Sequence, residues 1–179
     1  MVIGGSGSGK SEFAETICME LPAEEKCYIA TMQAFEEESR ARIAKHRKAR
    51  SGKGFETIEQ GTHLEAVCLP GGCTALLECM SNLVANEVFA PEGRGADCSE
   101  VLKCGLHHLA GTAAHLVIVT NDIFSDGVTY DPETEQYRKI LGEVNREAAA
   151  MADYVYEVVG GIPICVKGEK RDFTDKNNR

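Results

Sequence analysis

Apolar residues recur along this chain with two periods, and the two alternate. Short runs rich in β-branched and aromatic side chains at 1–3, 26–31, 55–60, 73–79, 115–121 and 153–159 read as strands. Two of them, Thr-Ala-Leu-Leu-Glu at 74–78 and Leu-Val-Ile-Val-Thr at 116–120, are apolar almost throughout, the pattern of central strands covered on both faces. Stretches of helical composition and spacing lie between them, at 11–21, 35–51, 62–69, 80–90, 98–111 and 132–152. The alternation predicts an α/β fold with a mostly parallel central sheet and helices on both faces. The stretch 160–167 reads as a tight turn into one last strand, an antiparallel partner at the edge. A single domain is expected over 1–167, with 168–179 a polar, aperiodic and flexible tail.

Composition narrows the class. A chain of 179 residues, 43% hydrophobic, is long enough for one well-buried core. No apolar run approaches the roughly 20 residues that cross a bilayer, so no membrane span is expected. The start of the chain lacks a basic region followed by an apolar stretch, and a cytoplasmic location follows by default. The eight cysteines form no Cys-x-x-Cys pair, and several sit in apolar runs, so reduced core thiols are expected. With 28 acidic against 19 basic residues the net charge is −9, which argues against a nucleic-acid partner.

Gly4-Gly5-Ser6-Gly7-Ser8-Gly9-Lys10-Ser11 fits G-x-x-x-x-G-K-[ST], preceded by a strand start and followed by a helix. Glycines there let successive backbone N–H groups turn inward around phosphate oxygens, and the helix aims its positive end at the same anion. Lys10 is placed to reach the β- and γ-phosphates, and the Ser11 hydroxyl to ligate Mg²⁺. The expected ligand is a nucleoside triphosphate. Glu78, ending an apolar strand, is the favoured acidic partner for the metal, and Asp122, ending another, the second choice.

Positive charge is concentrated at 40–50, where six Lys and Arg surround His46 with no acidic residue among them. On a helix over 35–51, Arg42, His46 and Arg50 share one face. Neighbouring arginines disfavour imidazolium and keep the ring nucleophilic, while guanidiniums grip phosphate oxygens. That combination permits attack on a nucleotide phosphorus.

The P-loop, Tyr-Ile-Ala-Thr at 28–31, Arg-Ile-Ala-Lys-His-Arg-Lys-Ala-Arg at 42–50, Leu-Leu-Glu-Cys at 76–79, Val-Thr-Asn at 119–121 and the stretch 143–163 together resemble the adenosylcobinamide kinase/adenosylcobinamide-phosphate guanylyltransferase family. The resemblance implies a RecA-like P-loop fold and a homotrimer. It implies phosphorylation of adenosylcobinamide with ATP or GTP, then transfer of GMP from GTP to adenosylcobinamide phosphate. Carried across by motif, His46 is the guanylylated histidine and Gly4 to Ser11 the nucleotide loop. Thr31, Met32 and Gln33 contact nucleotide, Arg47, Lys48, Ala49 and Arg50 follow the histidine, and Glu59 and Glu78 serve nucleotide and metal. The family pattern carries arginine where this chain has Gly7, and this chain continues from Asn121 into Asp122 where the family has glutamate. Two other readings stand beside this one. In the first, a single-activity kinase, His46 only contacts phosphate. In the second, a nucleotide switch or nucleic-acid module, 40–53 is a basic arm, though without aromatic side chains to stack bases.

Overall fold

The computed structural model describes residues 1–33, 52–169 and 173. Seven strands form one sheet: β1 (Val2–Gly4), β2 (Lys26–Ala30), β3 (Phe55–Glu59), β4 (Thr74–Glu78), β5 (His115–Asn121), β6 (Val155–Val159) and β7 (Ile162–Lys167). Their order is β3-β2-β4-β5-β1-β6-β7, parallel throughout except for β7, which returns antiparallel on β6. The expected architecture is therefore the one adopted, down to the antiparallel edge.

Four helices are described: α1 (Lys10–Glu20), α2 (Met80–Phe89), α3 (Ser99–Thr112) and α4 (Pro132–Met151). Each buries a stripe at helical spacing, for example Leu102, Leu106 and Leu109 of α3 or Ile140, Val144 and Ala148 of α4. Asp131 caps α4, its carboxylate accepting from the Glu133 and Thr134 N–H groups, and Pro132 supplies the fixed φ of the first turn. All five residues of β4 are buried, as its unbroken apolar run requires. Alternate side chains feed two cores. Ala75 and Leu77 join Ile29 and Ile118 beneath α2, α3 and α4. Leu76 joins Tyr28, Val117 and Val119 beneath α1. Each large aliphatic side chain buried this way contributes about 1.5–3 kcal/mol.

One expected helix does not form. The stretch 62–69 holds only a 3-10 turn, Leu64–Ala66, because His63 before it takes a left-handed conformation (φ 55°) and Val67 after it is extended. Only Leu64 and Val67 of the segment are wedged fully into the core, and Gly105 of α3 approaches so closely that a Cβ there would lie 2.9 Å from that of Leu64. The space admits one turn and no more. The helix expected over 35–51 lies outside the described residues. Five of the eight cysteines are buried and all eight are free thiols, while Cys68 and Cys104 are exposed. Phe173 packs edge-on against Phe13 and Tyr156.

Candidate active site

The strand order decides where the chemistry sits. β1 ends in the P-loop, and β5 lies between it and β4, so Gly4 and Glu78 end strands about 10 Å apart. α1 closes that gap by crossing back over β5 and β4. In-register pairing puts Ala30 between Glu78 and Glu59, all three at the carboxyl edge and on the face that α1 covers. The Ser11 hydroxyl, in the first turn of α1, donates to Glu78 Oε1. The two predicted metal ligands, 67 residues apart in sequence, are thus brought together.

The loop has the geometry that its glycines allow. Gly7 and Gly9 have φ of 70° and 91°, open to glycine at little cost. Ser8 N–H donates to Gly5 O (3.2 Å), and Phe13 N–H to Gly9 O (3.0 Å) as the helix begins. No side chain caps α1, which leaves its N-terminal N–H groups to an anion from outside the helix. Gly5, Ser6 and Gly7 are exposed, whereas Lys10 is buried along its stem with its Nζ 3.1 Å from Gly5 O. The ammonium is folded back over the loop, where the phosphates of a nucleotide would lie.

Magnesium takes hard oxygen donors and keeps several waters, so a hydroxyl paired with a carboxylate, facing a phosphate cradle, fits it. Burial holds the neighbouring Cys79 thiol above its ordinary value, so it stays protonated beside Glu78 at neutral pH. Asp122, the second choice, follows β5 at the same sheet edge. Its N–H bonds Gly4 O, and its carboxylate accepts from the Phe124 N–H (3.1 Å) and the Ser125 hydroxyl (2.8 Å), shaping its own loop. Asn121 instead points at α2, donating to the Ser81 hydroxyl at 2.6 Å.

Thr31, Met32 and Gln33 leave β2 at the same edge. Thr31 is fully buried, and its hydroxyl both donates to Cys79 O (2.8 Å) and accepts from Cys79 N–H (2.7 Å), bolting the end of β2 to the residue after Glu78. Gln33 donates to Glu92 across the loop mouth (2.9 Å), and Glu59 is exposed. His46, Arg47, Lys48, Ala49 and Arg50, with Arg42, lie outside the described residues. The far end of their segment is anchored at Lys53, whose ammonium pairs at 2.5 Å with the buried carboxylate of Glu15 on α1.

Residues 1–166 match the family model described as cobinamide kinase / cobinamide phosphate guanyltransferase. The chain belongs to that family. Its members are transferases, and among the curated relatives is the bifunctional adenosylcobalamin biosynthesis protein CobU of Salmonella typhimurium, 32% identical over 93% of this chain and 98% of that protein. CobU of Escherichia coli is 30% identical over the same shares, and CobP of Pseudomonas aeruginosa, another bifunctional adenosylcobalamin biosynthesis protein, 29% identical over 94% and 97%. Among solved structures, an ATPase of a bacterial type III secretion system superposes with a TM-score of 0.48 at 13% identity, over 87% of this chain and 49% of that one, so this chain spans about half its length.

In this member of the cobinamide kinase/guanyltransferase family, two supports of the site edge carried no site signal in the sequence, one beside the P-loop and one at the end of β2. The β6–β7 turn holds the loop from beside, Gly161 N–H donating to Ser8 O at 2.8 Å, and Gly9 lies so close that a Cβ would meet Gly161 Cα at 3.3 Å. Paired glycines announced a turn but not its partner. Asn86 of α2 is the other, donating to Thr31 O and Gly61 O at 2.8 Å each. It is one of four polar residues in Met80–Phe89, beside Ser81, Asn82 and Glu87, so nothing in the sequence singled it out.

Proposed function

We propose that this protein performs both transfers on one P-loop. In the first, the hydroxyl oxygen of adenosylcobinamide attacks the γ-phosphorus of ATP or GTP held by Gly4 to Ser11. The β–γ anhydride bond breaks, the nucleoside diphosphate leaves, the hydroxyl proton passes to solvent, and Lys10 draws charge from the transferring phosphate. In the second, the His46 imidazole attacks the α-phosphorus of GTP. An N–P bond forms, the α–β anhydride bond breaks, and pyrophosphate leaves against the cations of Arg47, Lys48 and Arg50. A phosphate oxygen of adenosylcobinamide phosphate then attacks the same phosphorus, releasing the histidine and giving adenosylcobinamide-GDP. Mg²⁺ bound at Ser11 and Glu78 would neutralise triphosphate charge and orient the leaving oxygens.

The observation that carries the reading is the Ser11–Glu78 pair, because it supports a hydroxyl and a carboxylate acting together at the mouth of the glycine loop. Thr31, Met32, Gln33 and Glu59, which open or line the same edge, are assigned to the nucleotide. A homotrimer in the cytoplasm completes the proposal. The exposed edge face of β7, with Ile162 67%, Ile164 49% and Val166 63% exposed, supports burial against neighbouring copies. No helix of the described residues is long and apolar enough to cross a membrane.

Incubation with GTP labelled at the α-phosphate tests the proposal. Acid-labile label on the protein, lost in His46→Ala, is expected. An active kinase that takes no label is the single-activity enzyme instead.

A further inference from the structure

The ladder between β2 and β3 ends with Gln60 N–H on Ala30 O at 2.9 Å. On its other side β2 pairs with β4, and the next residue, Thr31, donates its N–H to Glu78 O (3.1 Å). Just past the end of the β2–β3 ladder, Thr31 O and Gly61 O both accept from a side chain of α2. The carboxamide of Asn86, 9% exposed, gives one N–H to each. Asparagine is a poor residue for a helix interior, and burying its amide is costly unless both hydrogens are used, as they are here. Gln33 lies directly across Gly61, where a Cβ would come within 2.4 Å of its Nε2. The spacing that Asn86 sets between the two chains therefore also sets where Met32 and Gln33 lie relative to Glu78.

We infer that Asn86 is a positioning residue for nucleotidyl transfer, acting through the two segments it ties together and touching no substrate. The inference rests on the assignment of 31–33 to the nucleotide and of His46 to guanylyl transfer. It separates two quantities. The P-loop grips the triphosphate without Asn86, so affinity for nucleotide is retained. Placement of the rest of the nucleotide depends on the brace, and a displacement of about 1 Å in a reacting geometry costs on the order of a hundredfold in rate.

The test compares Asn86→Leu and Asn86→Asp with Asn145→Leu, which makes the same change at a buried α4 carboxamide that accepts from Thr120 at 2.9 Å. Single-turnover labelling by α-labelled GTP and equilibrium binding of GTP are measured on each, with melting temperatures alongside. Both Asn86 variants are expected to label at least about tenfold more slowly, with GTP affinity within about threefold of the unmodified protein. Asn86→Asp is expected to be no better than Asn86→Leu, because a carboxylate would face two carbonyl oxygens. Labelling at the unmodified rate overturns the inference, and so does equal slowing in Asn145→Leu at a matched loss of melting temperature. If the unmodified protein takes no label, the guanylyl reading fails separately. The brace is then read on phosphoryl transfer at saturating nucleotide, where the same tenfold loss supports it and an unchanged rate overturns it.

Discussion

Gly4 and Gly5 are neighbours in one motif, yet the structure gives them opposite tolerances. A Cβ on Gly4 would lie 2.6 Å from Ser8 Oγ and 2.6 Å from Val158 O, whereas one on Gly5 would meet nothing within 4 Å. The serine hydroxyl can rotate away. The carbonyl of β6 cannot, since Val158 is buried in a strand paired on both sides. Gly4→Ala therefore forces the loop and β6 apart by a large fraction of an ångström, an overpacking worth about 1–3 kcal/mol. For a chain of this size each kcal/mol moves the melting temperature by about 2–4 °C, so a fall of about 2–12 °C is expected. The same displacement spoils the cradle, and GTP affinity should weaken at least about tenfold, or 1.4 kcal/mol. Gly5→Ala, by contrast, should cost less than about 0.5 kcal/mol of stability without ligand. Differential scanning calorimetry of the ligand-free proteins and titration calorimetry with GTP measure both. If Gly4→Ala melts with the unmodified protein, or Gly5→Ala falls as far, the packing of the loop against β6 is wrong.

Further expectations attach to the Ser11–Glu78 pair proposed to hold Mg²⁺ and to the core thiols. Glu78→Gln keeps the shape but removes the charge facing Ser11, so the Mg²⁺ concentration for half-maximal activity should rise about 10–100-fold. An unchanged Mg²⁺ dependence would place the metal carboxylate elsewhere. Burial pushes the Cys18 thiol up to about 12 from an ordinary value of 9.0. An acid raised in the folded state stabilises below its unfolded pKa and loses that contribution as pH rises toward its folded one. Stability should therefore fall from about pH 9, with Cys18 accounting for about 1.4 kcal/mol of loss by pH 10. Urea melts at pH 8 and 10 should show a smaller loss in Cys18→Ala; an identical loss removes Cys18 from the account.

Regular structure was legible because its signals are local. The almost wholly apolar Thr74–Glu78 reads as an interior strand, and the glycine loop between β1 and α1 carries its own geometry. The placement of Glu78 at the site edge beside Ser11 was legible too, since an acid ending a buried strand needs a reason to be there. What escaped reading depends on distant parts. His63 breaks the helix expected at 62–69 through a left-handed turn, held where its N–H meets the buried Glu87 carboxylate at 2.5 Å. Asp122 occupies a strand end like that of Glu78, but it spends its oxygens on the turn that follows. Asn86 and Gly161 act on backbone atoms far off in sequence, and no spacing along one chain encodes such a meeting.

In the proposed covalent relay, the P-loop presents GTP and His46 carries its GMP. Intact-mass analysis after incubation with GTP and Mg²⁺, followed by addition of adenosylcobinamide phosphate, tests it most directly. A gain of one GMP is expected, confined to the peptide containing His46, that disappears on the chase as adenosylcobinamide-GDP forms at matching yield. Product formed by a protein that never gains the adduct, or an adduct that outlasts the chase, would contradict it.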